Sequence, residues 1–374
     1  MTDDARSWLA RIGVRLPIVQ APMAGVSTPT MAAAVSNAGA LGSVAVGHLG
    51  AEAARDEIAA TRAATARPVA VNVFCHAPLT ETAAASASDS NAWLQVLAPQ
   101  FARFGAETPR QLRAIYTSFV NDDAMLEVLL AERPAVVSVH FGLPPRERIA
   151  ALRNAGIAVV ATATSVAEAH AARDAGVSAL VAQGYEAGGH RGVFEPHADT
   201  RMGTLALVRL LVRATPLPVI AAGGIMDGAG IAAALALGAC AAQLGTAFID
   251  CPESAADAAY RAALRSDASA RTTVTDAISG RPARALENAF TRFAVTPEAR
   301  AATPPAYPLA YDAGKALHAA AKARGEFGYG AQWAGQGAPL SRALPAAALV
   351  ATLVAELHAA VASLFALAAP ERAT

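Results

Sequence analysis

The sequence predicts an α/β fold: a (β/α)8 TIM barrel with an appended, mainly helical C-terminal region. Eight short runs rich in Val, Ile and Ala recur between Leu16 and Gly245. Each run is continuously apolar rather than alternating, as in strands buried on both faces of a parallel sheet. Longer helical stretches separate the runs, and such β-α-β-α alternation marks an α/β fold. Eight repeats favour a closed barrel. A seven-unit sheet with an open edge fits the same pattern.

The runs span residues 16–21, 40–46, 68–74, 135–141, 157–161, 179–183, 217–222 and 240–245. Helix signals lie between them. Ser27 is placed to cap a helix over 28–37, with Gly39 after its end, and Ser165 opens a helix followed by Gly176. Asp227 and Gly228 precede an apolar helix that stops at Gly238. The connection 77–133 is longer than one helix needs, and its Ser/Ala stretch 83–90 reads as an exposed loop. After Thr246 the alternation ends. Residues 1–249 are therefore expected to form the barrel. Residues 250–374 form a helical lid that packs on the barrel mouth and returns to the barrel, broken by Thr303-Pro304-Pro305 and by the Gly-rich stretch 325–337.

Composition narrows the function classes. Of 374 residues, 54% are hydrophobic and 16% charged, so the chain can bury a large core. Lys+Arg and Asp+Glu are each 30, which leaves no net field to hold nucleic acid or an anionic membrane. Three cysteines without CxxC spacing argue against a disulfide framework or a zinc site and fit a reducing cytoplasm. The N-terminal MTDDARSWLARIG lacks the apolar core of a secretory signal. Residues 344–368 are apolar enough to raise the question of a membrane span. Glu356 and His358 in the middle would be costly in lipid, so a packed terminal helix is expected. HExxH and GxSxG are absent, and no metal site stands out.

Barrel enzymes keep their working residues at the C-terminal ends of the strands. After the first run, Pro22, Met23, Gly25 and Pro29 form a turn whose backbone can face a flat ligand or simply connect strand to helix. Asn72 is polar within the third run, and its amide needs partners, either a cofactor ring or the core. His140 ends the fourth run, where it faces the pocket or makes a structural hydrogen bond. The most informative segment is QGYEAGGHRG, 183–192. Its four glycines allow close backbone approach to a ligand, and His190 within it is the side chain most readily tuned for proton transfer near neutral pH. Glu186 and Arg191 either serve that site or pair on the surface. Gly223 and Gly224 follow the seventh run, and Gly245 and Thr246 the eighth. Backbone N–H groups there suit a phosphate. The stretch 223–228 is not GxGxxG, so a Rossmann dinucleotide loop is not supported.

Taken together, these segments resemble the nitronate monooxygenases (nitropropane dioxygenases) of class I. The residues that carry the likeness are 20–29, VSNAGALG at 35–42, SVHFGLP at 138–144 and QGYEAGGHRG at 183–192. Tyr307-Pro308-Leu309 with Tyr311 and Lys315, and WAGQG at 333–337, add to it. The likeness runs from about Leu16 to Arg342, and residues 80–91 supply no matching motif. It implies a barrel with FMN at its C-terminal mouth. By the same likeness Gly223, Gly224, Gly245 and Thr246 hold the phosphate, and Gln243 and Leu244 belong to the same strand-eight motif. Pro22, Met23, Asn72, Gln183 and Gly188, with Gly189 beside it, line the rest of the cofactor. His190 is the catalytic histidine, and His140, Tyr116, Tyr307, Tyr311 and Lys315 surround the substrate.

The implied reaction is oxidation of anionic alkyl nitronates, propionate 3-nitronate among them, by O2 to a carbonyl compound and nitrite. Lys315, tyrosine hydroxyls and His190 in its protonated form would stabilise the anion, and the sequence does not fix which form His190 takes. His190 would act as a base only for neutral nitroalkanes. Two other readings share the cofactor loops: an NAD(P)H-dependent FMN reductase of quinone or enoyl reductase type, and a non-catalytic phosphate- or flavin-binding protein. The 307–315 cluster and WAGQG favour the monooxygenase over the first, and His190 in its glycine loop speaks against the second.

Overall fold

The computed structural model describes residues 8–79 and 87–368. All eight apolar runs form parallel strands: β1 (Ile18–Gln20), β2 (Gly42–Ala45), β3 (Val69–Phe74), β4 (Val136–His140), β5 (Ala158–Ala163), β6 (Ala179–Gln183), β8 (Val219–Ala222) and β9 (Ala241–Leu244). A two-residue strand, β7 (Gly189–His190), lies outside this sheet. The order β1-β9-β8-β6-β5-β4-β3-β2 is completed by a bridge between Val19 and Leu41 and by the Gln20 N–H bond to the Leu41 carbonyl. The sheet is a barrel, and the open-edged alternative fails at this seam.

Side chains alternate across a strand, and each strand contributes to two cores. Val71, Val73, Val137, Val139, Leu180 and Leu244 point outward into the layer shared with the helices. Val19, Ala70, Val136, Val160, Val181, Ile220 and Ala241 fill the barrel interior, with Trp8, Leu9 and Val14 packed against them. Counting on by two along each strand puts Asn72, Ser138, His140, Thr162, Gln183 and Gln243 on the inner face at the C-terminal ends.

The helix signals hold with one shift. The helix Pro29–Asn37 is capped by Thr28 rather than Ser27, because the Ser27 hydroxyl is taken by the Met23 N–H and the Gln20 amide. Ser165 and Asp227 cap the helices Val166–Ala175 and Gly228–Ala236 as expected. The stretch 83–90 is corrected in part. Residues 83–86 lie outside the described residues, but 87–90 open the helix Ala87–Arg103, so they are not loop.

The region after the barrel is less uniformly helical than expected. β10 (Thr272–Thr275), β11 (Ala283–Leu286) and β7 form an antiparallel sheet that pins the His190 loop to this region. Four-residue strands give too short a pattern to separate from helix or loop. The last helix, Ala346–Ala368, is long and apolar enough to cross a membrane. Its Leu349, Val350, Leu353 and Leu357 nevertheless share the outer core with Met31, Val35 and Ile231. Glu356 accepts a bond from the Gly228 N–H and pairs with Arg342. Gly228 permits this approach, since a Cβ there would meet Leu357 N at 2.1 Å.

Candidate active site

The C-terminal ends of the barrel strands open into a cavity of about 320 Å³. Its size is at the lower end for small-molecule sites. Every residue that the family likeness assigns to cofactor or substrate lines it, except Leu244. Leu244 points the other way, into the outer core, because strand alternation that turns Gln243 inward must turn its neighbour outward.

One wall is built from glycines. Gly223 and Gly224 have φ of +120° and +72°, which favours glycine. A Cβ on Gly223 would lie 2.7 Å from the Thr204 hydroxyl, and one on Gly188 only 2.5 Å from Gly335 N. Thr246 begins a short helix, Thr246–Ile249, so its N–H and that of Ala247 have no intrahelical partner. The Thr246 hydroxyl accepts from Gly335 N at 3.0 Å, which ties the 333–337 segment over the cradle. Such a wall fits a phosphate held by backbone amides. Nearby, Asn72 spends both amide hydrogens on Ser138, leaving its carbonyl oxygen as the group available to a ligand. Gln183 is more committed. Its carbonyl oxygen accepts from Arg191 and from Gly192 N, and its amide donates to the His190 carbonyl.

Glu186 and Arg191 do not pair. Glu186 caps the helix Thr204–Ala214 through Thr204, while Arg191 is fully buried, bonded to Asp199 at 2.8 Å and to the Gln183 and Gly184 carbonyls. Both organise the loop from behind.

His190 faces an aromatic enclosure. Its ring centroid is 5.4 Å from Phe141, 5.6 Å from Tyr307, 5.9 Å from Tyr311 and 5.1 Å from Trp333. Nε2 is 2.8 Å from the Ser279 hydroxyl. His140 Nε2–H donates to the His190 carbonyl (3.2 Å), and its Nδ1 accepts from the Thr162 hydroxyl (3.0 Å). Opposite, Lys315 Nζ lies 5.0 Å from the Tyr116 ring centre and 5.4 Å from that of Tyr311. Burial keeps the hydroxyls of Tyr116, Tyr307 and Tyr311 protonated by raising all three. They are therefore O–H donors. Burial lowers Lys315, against an opposing pull from Asp312.

The sequence leaves open the protonation state of His190. Burial, the neighbouring His140 and the Arg281 guanidinium push it down to about 3, so it is a neutral imidazole at pH 7. Burial likewise pushes His140 and His76 down to about 4. These three histidines make stability depend on pH. Below pH 6.5 the unfolded chain takes up protons at these positions that the folded chain refuses, so stability falls with falling pH. The loss runs from 6.5 to about 4 for His76 and His140 and to about 3 for His190, with a slope approaching roughly 1.4 kcal/mol per pH unit for each histidine. Denaturant melts at pH 7 and pH 5 should show it, and equal midpoints would refute it.

Several lining or supporting residues carried no signal in the sequence. Ser279 and Arg281 lie far along the chain from any barrel strand, and Arg281 sits 4.6 Å over the Phe141 ring with its guanidinium bonded to the Val193 carbonyl. Thr162 and Phe74 were legible in principle as inner-face positions. Tyr260 and His48 enter the lining from a helix and a loop whose arrival at the mouth is a tertiary matter, while Trp333 belongs to the WAGQG motif already marked in the sequence.

Comparison with known proteins agrees with this geometry. A family model described as nitronate monooxygenase matches residues 6–356. A nitronate monooxygenase of Paraburkholderia phytofirmans is 59% identical over 360 residues, covering 96% of this chain and 97% of that protein. One of Pseudomonas aeruginosa is 55% identical over 350 residues, covering 93% and 97%. Among solved structures, a nitroalkane oxidase from Streptomyces ansochromogenes superposes with a TM-score of 0.85 at 42% identity, covering 94% of this chain and 98% of that one. FabK from Thermotoga maritima gives 0.73 at 28% identity, covering 96% and 98%.

Proposed function

The chain belongs to the nitronate monooxygenase family, and from that premise we propose that it oxidises alkyl nitronates with O2, using bound FMN, to a carbonyl compound and nitrite. It is an oxidoreductase. The observation that carries the proposal is one cavity lined both by the glycine-rich wall of Gly223, Gly224, Gly245 and Thr246 and by Lys315 with Tyr116, Tyr307 and Tyr311, the Lys315 ammonium lying over the Tyr116 and Tyr311 rings. A nitronate is an anion, and a cation flanked by O–H donors is what such a ligand needs in a dry site. Propionate 3-nitronate, with a second anionic end, suits the same set.

Gly223, Gly224, Gly245 and Thr246 hold the cofactor phosphate. Pro22, Met23, Asn72, Gln183, Gln243 and the Gly188-Gly189 backbone line the rest. FMN would supply the redox step between nitronate and O2. The side chains bind and orient the substrate. Lys315 neutralises one end and Tyr116 offers it an O–H, Tyr307, Tyr311 and His140 enclose it, and the aromatic walls exclude water. Neutral His190 removes a carbon-bound proton when the substrate arrives as the nitroalkane, and it is not required for the preformed anion. The free, buried cysteines Cys75, Cys240 and Cys251 suit a reducing cytoplasm as the compartment.

An oxygen-electrode assay of the purified yellow protein with propionate 3-nitronate tests the proposal. Rapid oxygen uptake with nitrite release and no requirement for NADPH is expected. No uptake with nitronate, together with anaerobic bleaching of the flavin by NADPH, would reassign the protein to the reductase reading.

A further inference from the structure

His190 is gripped by a residue that lies in no strand-end motif. Ser279 is fully buried, and its hydroxyl is 2.8 Å from His190 Nε2. The same hydroxyl donates to the Arg281 carbonyl at 3.2 Å and receives a longer contact of 3.4 Å from the Arg281 N–H. A serine hydroxyl has one proton and two acceptor lone pairs. With the proton on the Arg281 carbonyl and one lone pair facing the Arg281 N–H, only an acceptor site remains for the histidine. In that arrangement Nε2 carries the imidazole proton.

The support around this contact is rigid. The His190 backbone is fixed by pairing with Ala283, and its carbonyl by Gln183 and His140. The turn bearing Ser279 is locked from the far side. Gly280, at φ +83°, packs so closely that a Cβ would lie 2.3 Å from the Pro305 carbonyl oxygen and 2.6 Å from Tyr307 N. The segment carrying Tyr307 thus also fixes where Ser279 stands.

We infer that Ser279 is a positioning residue: it holds His190 as the Nε2–H tautomer and leaves Nδ1 with the lone pair that accepts a substrate proton. In a neutral imidazole the hydrogen bond made by one nitrogen decides which nitrogen is basic. The catalytic half of the inference rests on His190 being the base for neutral nitroalkanes. The tautomer itself does not.

The test uses FMN-loaded enzyme labelled with 15N-histidine. Long-range 1H–15N spectra of the wild type, Ser279→Ala and Ser279→Thr are compared, with His190 assigned by the signal lost in His190→Asn. The wild type and Ser279→Thr should show a single Nε2–H form, and Ser279→Ala a mixture with the Nδ1–H form. Ser279→Ala should also lower kcat on a neutral nitroalkane about 10-fold, with KM and nitronate turnover within about twofold, and Ser279→Thr should recover it. An Nδ1–H histidine in the wild type, or an unchanged tautomer in Ser279→Ala, overturns the inference. A tautomer lost without any fall in nitroalkane turnover leaves the positioning role standing and removes His190 as the base.

Discussion

Replacing His190 by Asn is expected to lower kcat/KM on neutral nitroalkanes by about 10²- to 10⁴-fold, while turnover of preformed nitronates falls by less than about 10-fold. The asymmetry follows from what each substrate still needs. A nitroalkane must lose a carbon-bound proton, and His190 is the imidazole proposed to take it; the adjacent His140 has both ring nitrogens engaged, by Thr162 and by the His190 carbonyl. Burial keeps the tyrosines protonated, and it keeps His190 from being protonated, so that its lone pair is available at pH 7. A nitronate has already lost that proton and requires only charge and orientation, supplied by Lys315 and the tyrosines. Asn can retain a polar contact to Ser279, which limits collapse of the wall. Steady-state oxygen uptake with both forms of one substrate decides the matter, and equal losses on the two would end the base role.

The second large effect concerns the cofactor. Gly188→Ala should leave the barrel folded but reduce flavin retained on purification by about 10-fold or more, equivalent to at least about 1.4 kcal/mol. Gly188 does not have a positive φ, so alanine meets no backbone penalty there, and the effect is one of space alone. The added methyl would sit 2.5 Å from Gly335 N and 2.6 Å from the Ala334 carbonyl carbon, both main-chain atoms. These cannot swing aside as a flexible side chain would. The 333–337 segment must back away, and with it go the Gly335 bond to Thr246 and the Gln336 bond to the Glu186 carbonyl. Those contacts close the cavity over the glycine cradle. Gly50→Ala is the control, because a Cβ there meets nothing within 4 Å. The flavin-to-protein absorbance ratio reads both variants. Full occupancy in Gly188→Ala would show that the 333–337 segment does not govern retention.

Much of the site is legible in the sequence. Continuous apolar runs identify doubly buried strands, and the period of two along each strand says which residues face inward. That is why Asn72, His140, Gln183 and Gln243 can be placed at the mouth from the sequence, and why Leu244, one position on, belongs outside it. The glycine loops after β6, β8 and β9 are visible because left-handed or crowded backbone restricts residue type. These features are local, so the chain states them directly.

What the sequence leaves undecided is set by contacts between distant segments. Ser279 reaches His190 across 89 positions. It does so only because β11 pairs with β7, two short strands whose hydrophobic pattern is too brief to read. A bridge from Ala285 of the same β11 brings Trp333 to the mouth. The protonation state of His190 is likewise out of the sequence's reach, since it depends on how much water the Phe141, Tyr307 and Trp333 rings exclude and on the position of Arg281. Sequence alone determined the eight parallel strands, the end at which the candidate site lies and most of the side chains there, while closure into a barrel was decided by the Val19–Leu41 seam. Tertiary structure alone decided which nitrogen of His190 is held and what charge it carries, because desolvation and long-range pairing are properties of the assembled enclosure.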